Sequence, residues 1–300
     1  MAKILLSVGI CLYNEEKNIS RLLSCVLTQR TSSVQIDEII LVISGSTDKT
    51  LEIAKQFAQK NKKIKIIHQK KRQGKALAVN EFISTAKNEI LILLGGDVYL
   101  EETIIEKLGK KFINKTVGMT GAHPIPINKI TDGFLGFAGN LLWDLHHRLS
   151  LKHPKMGEVI AFRKIFRQIP VSSSVDEANI EPLIKGQGYT ILYVPTAKIY
   201  NKTPTTIKDF IEQRRRIFSG HLAVKNEQGY QVATLKLSFI IKALYSFLEE
   251  NPKPIYILYT FFVILLEGYS RFLGFLDYKV YKKDHRVWTQ ITSTKQLFED

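Results

Sequence analysis

Cysteine is scarce in this 300-residue chain, with only Cys11 and Cys25, each inside an apolar run. A secreted scaffold held by disulfides carries more, at regular spacings, so both read as reduced and structural. A signal-peptide core is missing as well. The apolar run after Lys3 reaches Asn14 and Glu15 within a few residues and no small-residue cleavage site follows, so the chain is expected to start and stay in the cytosol. There is no internal repeat and no low-complexity linker. Zinc-finger spacing, an RNA-binding signature and a basic leucine zipper are also absent, which puts nucleic acid last among possible partners. Negative charge is the other shortage: 28 acidic residues face 43 basic ones, a formal net charge of +15.

What is present excludes wholesale disorder, since 45% of residues are hydrophobic and 24% charged. A chain of this length can bury a large core without staples. The excess of positive charge calls for an anionic partner, whether nucleic acid, anionic lipid or phosphorylated substrate. Its distribution helps to choose. Lys60, Lys62, Lys63, Lys65, Lys70, Lys71 and Arg72 cluster early, and Arg214, Arg215 and Arg216 come late. Lys279, Lys282, Lys283 and Arg286 follow the most apolar stretch, the pattern of a cytoplasmic membrane face.

In the first half, short runs rich in Ile, Val and Leu alternate with helical patterns. Residues 4–12, 38–43, 64–68, 90–94 and 117–120 read as strands, and 19–27, 51–58, 76–82 and 104–112 as helices. Thr47 or Ser46 is expected to cap the second helix, beside Asp48. Near-continuous apolar strands separated by helices imply a mostly parallel sheet covered on both faces. Ligands of such sheets bind beyond the carboxyl ends of the strands, where 13–16, 44–48 and 95–99 fall. Past Thr131 the alternation weakens. Residues 134–149, 176–185, 207–225 and 235–248 read as helices, and 159–162 and 190–194 as strands. After Pro252 and Pro254, residues 255–266 are apolar without interruption and the pattern continues to Leu276 past Glu267 and Arg271. That uninterrupted run is shorter than the ~20 residues of a span, while Glu267 and Arg271, pairing at i,i+4, would extend it far enough; a buried core helix is the other alternative, and the tyrosines and flanking lysines favour a membrane interface.

Three strand-end loops are expected to carry the chemistry: "YNEE" at 13–16, "SGSTDKT" at 44–50 and Gly95-Gly96-Asp97. Alone, each is ordinary turn punctuation; together, they line one edge of one sheet. In that order, with "GKALAVN" at 74–80, they resemble family 2 glycosyltransferases of the GT-A fold. "GEVIAFR" at 157–163, "VDEANIE" at 175–181 and "QRRRI" at 213–217 look like acceptor-side motifs of its membrane-associated, processive-type branch. The resemblance covers roughly residues 4 to 220.

That resemblance implies roles. Tyr13, Glu15 and Ser44 would hold the base and ribose of a nucleotide sugar, with Gly74 and Lys75 approaching the donor and Lys75 facing phosphate. Asp97 would bind Mg2+ or Mn2+. Glu177, or its neighbour Asp176, would be the catalytic base, while Gln213, Arg216 and Glu158 would serve diphosphate and acceptor. The chain departs from the family pattern at Ser44, where Asp is common, and at Gly95, where the first Asp of Asp-x-Asp would stand. Ile217 replaces a Trp, and Asp176-Glu177 reverses the usual Glu-Asp. His146, His147 and His153 lack a matching carboxylate spacing and are expected to line a polar groove; Trp143 is expected either in the core or on an acceptor sugar.

The fold expected is thus an α/β, GT-A-type mostly parallel sheet with helices on both faces, followed by C-terminal helices that associate with membrane. Residues 1–230 would form the glycosyltransferase domain, with 1–122 as the nucleotide-sugar half and 123–230 as the acceptor half; 231–300 would supply the apolar and basic helices. The expected reaction is metal-dependent, inverting transfer from a UDP- or GDP-sugar to a lipid-linked or membrane-proximal glycan acceptor at the cytoplasmic face. A sugar nucleotidyltransferase is the enzymatic rival, disfavoured by the acidic first loop. A basic membrane-surface scaffold with a degenerate site is the non-enzymatic one.

Overall fold

The computed structural model of the chain describes residues 2–232 and 237–298. The first half builds β1 (Ile4–Leu12), α1 (Ile19–Leu27), β2 (Val34–Ser44), α2 (Thr50–Lys60), β3 (Ile64–Gln69), α3 (Lys75–Thr85) and β4 (Ile90–Gly95). β5 (Val98–Leu100), α4 (Ile104–Gly109), a 3-10 turn (Lys110–Ile113) and β6 (Val117–Pro126) follow. The second half adds α5 (Gly133–Lys152), β7 (Ile160–Arg163), α6 (Asp176–Lys185), β8 (Thr190–Asn201), α7 (Ile207–Gln228), α8 (Leu237–Glu250) and α9 (Pro254–Lys279). The sequence reading began α8 at residue 235, which lies outside the described residues.

Among the described residues one eight-stranded sheet runs β3-β2-β1-β4-β7-β6-β8-β5. The first four neighbours are parallel, β7 is antiparallel to both β4 and β6, and β8 returns parallel to β6. Burial on both faces explains why β1, β2 and β4 read as unbroken apolar runs. One face packs on α1 and α4 through Leu22, Leu23, Ile104 and Leu108, the other on α3 through Val79 and Phe82. Gly9 makes the second contact possible, because a Cβ there would meet the Phe82 ring at 2.4 Å. Phe82 is fully buried, so Phe82→Ala is expected to cost about 3–5 kcal/mol in urea unfolding.

Three local expectations change. β8 runs seven residues past Val194 because Pro195, which broke the pattern, sits in the register break between the Gly121–Tyr193 and His123–Lys198 pairs. β5 has three residues, too few to show a period. Lys49 rather than Thr47 or Ser46 occupies the cap position of α2, and the Asp48 carboxylate accepts the Thr50 amide at 3.0 Å. The two hydroxyl residues instead bond Asn14.

α5, α7, α8 and α9 enclose a second apolar core around Phe137, Leu141, Phe210, Phe247 and Val263. α9 lies along α7. Gly274 permits the close approach, since a Cβ would meet the Arg215 carbonyl at 2.5 Å. Arg214 donates twice to Glu267, both at 2.7 Å, and Glu267 also accepts from Arg271 at 2.8 Å. The expected pairing of Glu267 with Arg271 is therefore present and shared with α7. Among the described residues α9 is the helix long and apolar enough to cross a bilayer.

Candidate active site

The loops after β1 and β2 clasp each other. Asn14, in the left-handed region at φ 51°, donates its amide to Ser46 Oγ at 3.1 Å. The Glu15 amide donates to Thr50 Oγ1 at 2.8 Å, and the Glu16 amide to Asp48 at 3.0 Å. Ser44 Oγ accepts the Gln73 amide at 3.3 Å, which draws the loop before α3 onto the end of β2. Gly74, with φ 97°, opens α3 and places Lys75 at its first turn. The Arg72 guanidinium lies 3.8 Å above the Tyr13 ring.

Every site residue read from the sequence lines one cavity of about 640 Å³: Tyr13, Glu15, Ser44, Gly74, Lys75, Asp97, Glu158, Asp176, Glu177, Gln213 and Arg216. Their partners differ. Lys75 bonds the buried Asp176 at 2.9 Å. Burial works against the Lys75 charge, but Asp176 and Glu177 outweigh it and raise its pKa. The second Asp176 oxygen, Oδ1, is buried without a hydrogen bond among the described residues. Glu177 takes part in no hydrogen bond or ion pair among the described residues and faces the cavity, as does Gln213. Arg216 donates to the Ser174 carbonyl at 2.8 Å and stacks 4.4 Å from the Trp288 ring centroid.

Glu158 is held at φ 59°, a strained conformation for a glutamate, and accepts from Asn201 at 3.3 Å. Burial, together with Asp97 and Glu177, pushes its carboxyl from 4.5 up to about 7. The folded state thus binds more protons than the unfolded one between those values, and Glu158 costs stability as pH rises through that window. Glu158→Gln removes the cost. Calorimetry is expected to show the variant melting about 2–4 °C above wild type at pH 8 and no higher at pH 4.

Three further features shape the cavity: His146 lines it, as its expected place in a polar groove implies, while Lys155 and a C-terminal strap escaped the sequence reading. The Lys155 ammonium enters the cavity with no hydrogen bond or ion pair among the described residues, and burial pulls its pKa down to about 8. His146 lines the same wall with both ring nitrogens buried and unbonded among the described residues. His147 bonds the Tyr193 hydroxyl at 2.8 Å, and His153 stacks on Phe239. The third is a C-terminal strap, residues 280–298. Gln290 donates to the carbonyls of Tyr13 and Asn14 at 3.3 and 3.1 Å, and the Gln296 carbonyl accepts from Lys202 at 3.0 Å. Lys295 reaches both Glu15 and Asp97, the latter at 3.0 Å. Trp288 and Phe298 are the only hints of this in a segment without periodicity.

Carboxylates and cations gathered at the carboxyl edge of a mostly parallel sheet define a GT-A-type transferase domain. The family described as glycosyl transferase family 2 matches residues 7–167, and the chain belongs to it. The chain is 35% identical over 104 residues to glycosyltransferase GlyG of Streptococcus pneumoniae, covering 35% of this chain and 34% of that protein. It is 31% identical over 190 residues to dolichyl-phosphate beta-glucosyltransferase ALG5C of Trichomonas vaginalis, covering 57% and 55%. The match thus spans about a third of most such relatives. In fold, the chain is similar to mannosyltransferase PcManGT from Pyrobaculum calidifontis, solved with GDP-Man and Mn2+. The TM-score is 0.65 at 17% identity, covering 93% of this chain and 88% of that one. It is also similar to glucosyl-3-phosphoglycerate synthase from Mycobacterium tuberculosis, solved with Mn2+ and UDP, with a TM-score of 0.53 at 15% identity over 76% and 81%.

Proposed function

We propose that this protein transfers a sugar, with inversion, from a UDP- or GDP-sugar to a lipid-linked acceptor at a cytoplasmic membrane face. The observation that carries the reading is the single cavity joining the strand-end loops to Glu177 and then to an apolar channel. Glu177 would take the proton of the attacking hydroxyl, a role supported by its being the cavity carboxylate without a side-chain partner among the described residues. Asp176 fixes Lys75, whose ammonium faces the cavity beside it. Arg216, pinned by Ser174, presents a guanidinium suited to bidentate phosphate contact. Asp97 would hold Mg2+ or Mn2+, and a lone hard carboxylate completed by phosphate oxygens fits such an ion. When bound, that ion neutralises charge developing on the departing diphosphate. The ligands of the two solved structures, GDP-Man and UDP, support a nucleotide donor.

The acceptor side rests on the channel beyond Glu177. Leu142, Leu145, Ile240, Leu244, Val263 and Ile264 line it, and Lys155 lines the same cavity. An apolar tail ending in an anionic group suits that arrangement, and the Trichomonas relative is named for a dolichyl phosphate. On α9, Phe261, Phe262, Leu265 and Phe272 are exposed, while Glu267 and Arg271 are engaged with Arg214. The exposed face of α9 would therefore lie in the interface with apolar side chains down. Co-flotation with anionic vesicles is expected at low salt and should weaken as salt rises, since each basic residue contributes on the order of 1 kcal/mol. Full-length protein that stays monomeric without detergent and ignores vesicles would overturn the membrane reading.

The donor reading is tested by thermal shift with UDP and GDP plus manganese. A nucleotide at a hundred times its dissociation constant should add about 2.7 kcal/mol. The donor sugar should also be released slowly to water. Absence of both would leave a basic scaffold, and release of pyrophosphate from a nucleoside triphosphate only when a sugar 1-phosphate is present would mark a nucleotidyltransferase.

A further inference from the structure

The departure at Gly95 leaves the Gly95-Gly96-Asp97 turn with a single carboxylate, yet the structure brings a second from another strand end. Glu15, in the loop after β1, folds over Gly96. A Cβ on Gly96 would meet Glu15 Cγ at 2.7 Å and Cδ at 3.0 Å, so this glycine is what admits the glutamate. Asn18 Nδ2 donates to Glu15 Oε2 at 2.9 Å and orients it. Glu15 and Asp97 then flank one point, and a cation occupies it: the Lys295 ammonium bonds both. Asn18 also donates to the Lys295 carbonyl, so one side chain holds both the carboxylate and the strap backbone.

We propose that Glu15 and Asp97 together form the divalent-cation seat and that Lys295 is its built-in competitor, so that ion binding expels the strap. This rests on the metal-dependent reading above, adds a ligand and a gate to it, and moves Glu15 from the base and ribose of the donor to the ion. Two ionised carboxylates are balanced fully by one divalent ion and only in part by one ammonium, and two cations cannot share the point. The rest of the strap is placed to respond. Its Arg286 carbonyl lies against Gly74, where a Cβ would meet it at 2.4 Å, and Trp288 covers Arg216. The groups assigned to the donor are thus covered by the segment that the ion would release.

The test is manganese titration of the full-length chain by calorimetry, without nucleotide. Lys295→Met is expected to bind Mn2+ about tenfold tighter than wild type, a coupling ordinary for competing sites. Lys295→Arg keeps the charge and should stay near wild type, which separates competition from a packing defect. Glu15→Gln should bind about tenfold more weakly. In a Trp143→Phe background Trp288 is the sole tryptophan, and saturating Mn2+ should shift its emission as it leaves Arg216. Unchanged or weaker ion binding in Lys295→Met, unchanged binding in Glu15→Gln, or an unmoved emission would each overturn the proposal. A wild-type chain that binds Mn2+ in this pattern but no nucleotide would instead sink the donor reading and leave the seat standing.

Discussion

Glu177→Gln is expected to lower turnover by about a hundredfold or more, as loss of a general base does, with nucleotide affinity nearly unchanged. The amide keeps the size and polarity of the side chain, and Glu177 has no bonding partner among the described residues to lose. The contrast is with its neighbour. Asp176→Asn strips the partner from Lys75, and a buried charge left unpaired costs about 3–5 kcal/mol. That variant should therefore show its defect first in thermal unfolding and nucleotide binding. Steady-state kinetics beside a melting curve separates the two. A rate loss confined to Asp176→Asn would move the base by one residue.

Asp97→Ala should be the most damaging single change to the reaction, lowering turnover by at least about a thousandfold at any manganese concentration. Asp97 stands at the end of the sheet behind two glycines, with Lys295 at 3.0 Å. On the proposed reading, the alanine loses the carboxylate that would hold the ion against the departing diphosphate. Undiminished metal-dependent turnover in the variant would remove Asp97 from the reaction.

How much of this was readable before the structure depends on the physics of each element. β1, α1 and α6 were bounded to the residue, because apolar runs and 3.6-residue spacing end there at polar turns. The edge at which the loops after β1, β2 and β4 meet follows from parallel topology alone. β8 was cut short because proline normally ends a strand, and Pro195 is tolerated only at a break in register. Lys155 gave no warning at all, since an isolated lysine says nothing of where it is buried. The strap was invisible for a similar reason: its contacts with the loop after β1 join residues 276 to 280 positions apart, and no local period encodes them. The substitution at Gly95 looked like a lost ligand, and only the structure shows a glutamate beside the remaining one.

That long separation also orders the assembly of the molecule. Bringing Lys295 to Glu15 from a fully open chain closes a loop of 280 residues, an entropic cost of about 5 kcal/mol. Once α9 has packed along α7, the strap is anchored at Lys279 and only some sixteen residues remain to be closed, which roughly halves that cost. The strap should thus seat last in folding and fray first at equilibrium. A folding molecule should then pass through a stage in which the sheet is complete and the pocket still open, and a nucleotide of the proposed donor would meet the pocket before the tail does. Amide exchange along residues 286–298 would record that order as the fastest exchange near the pocket.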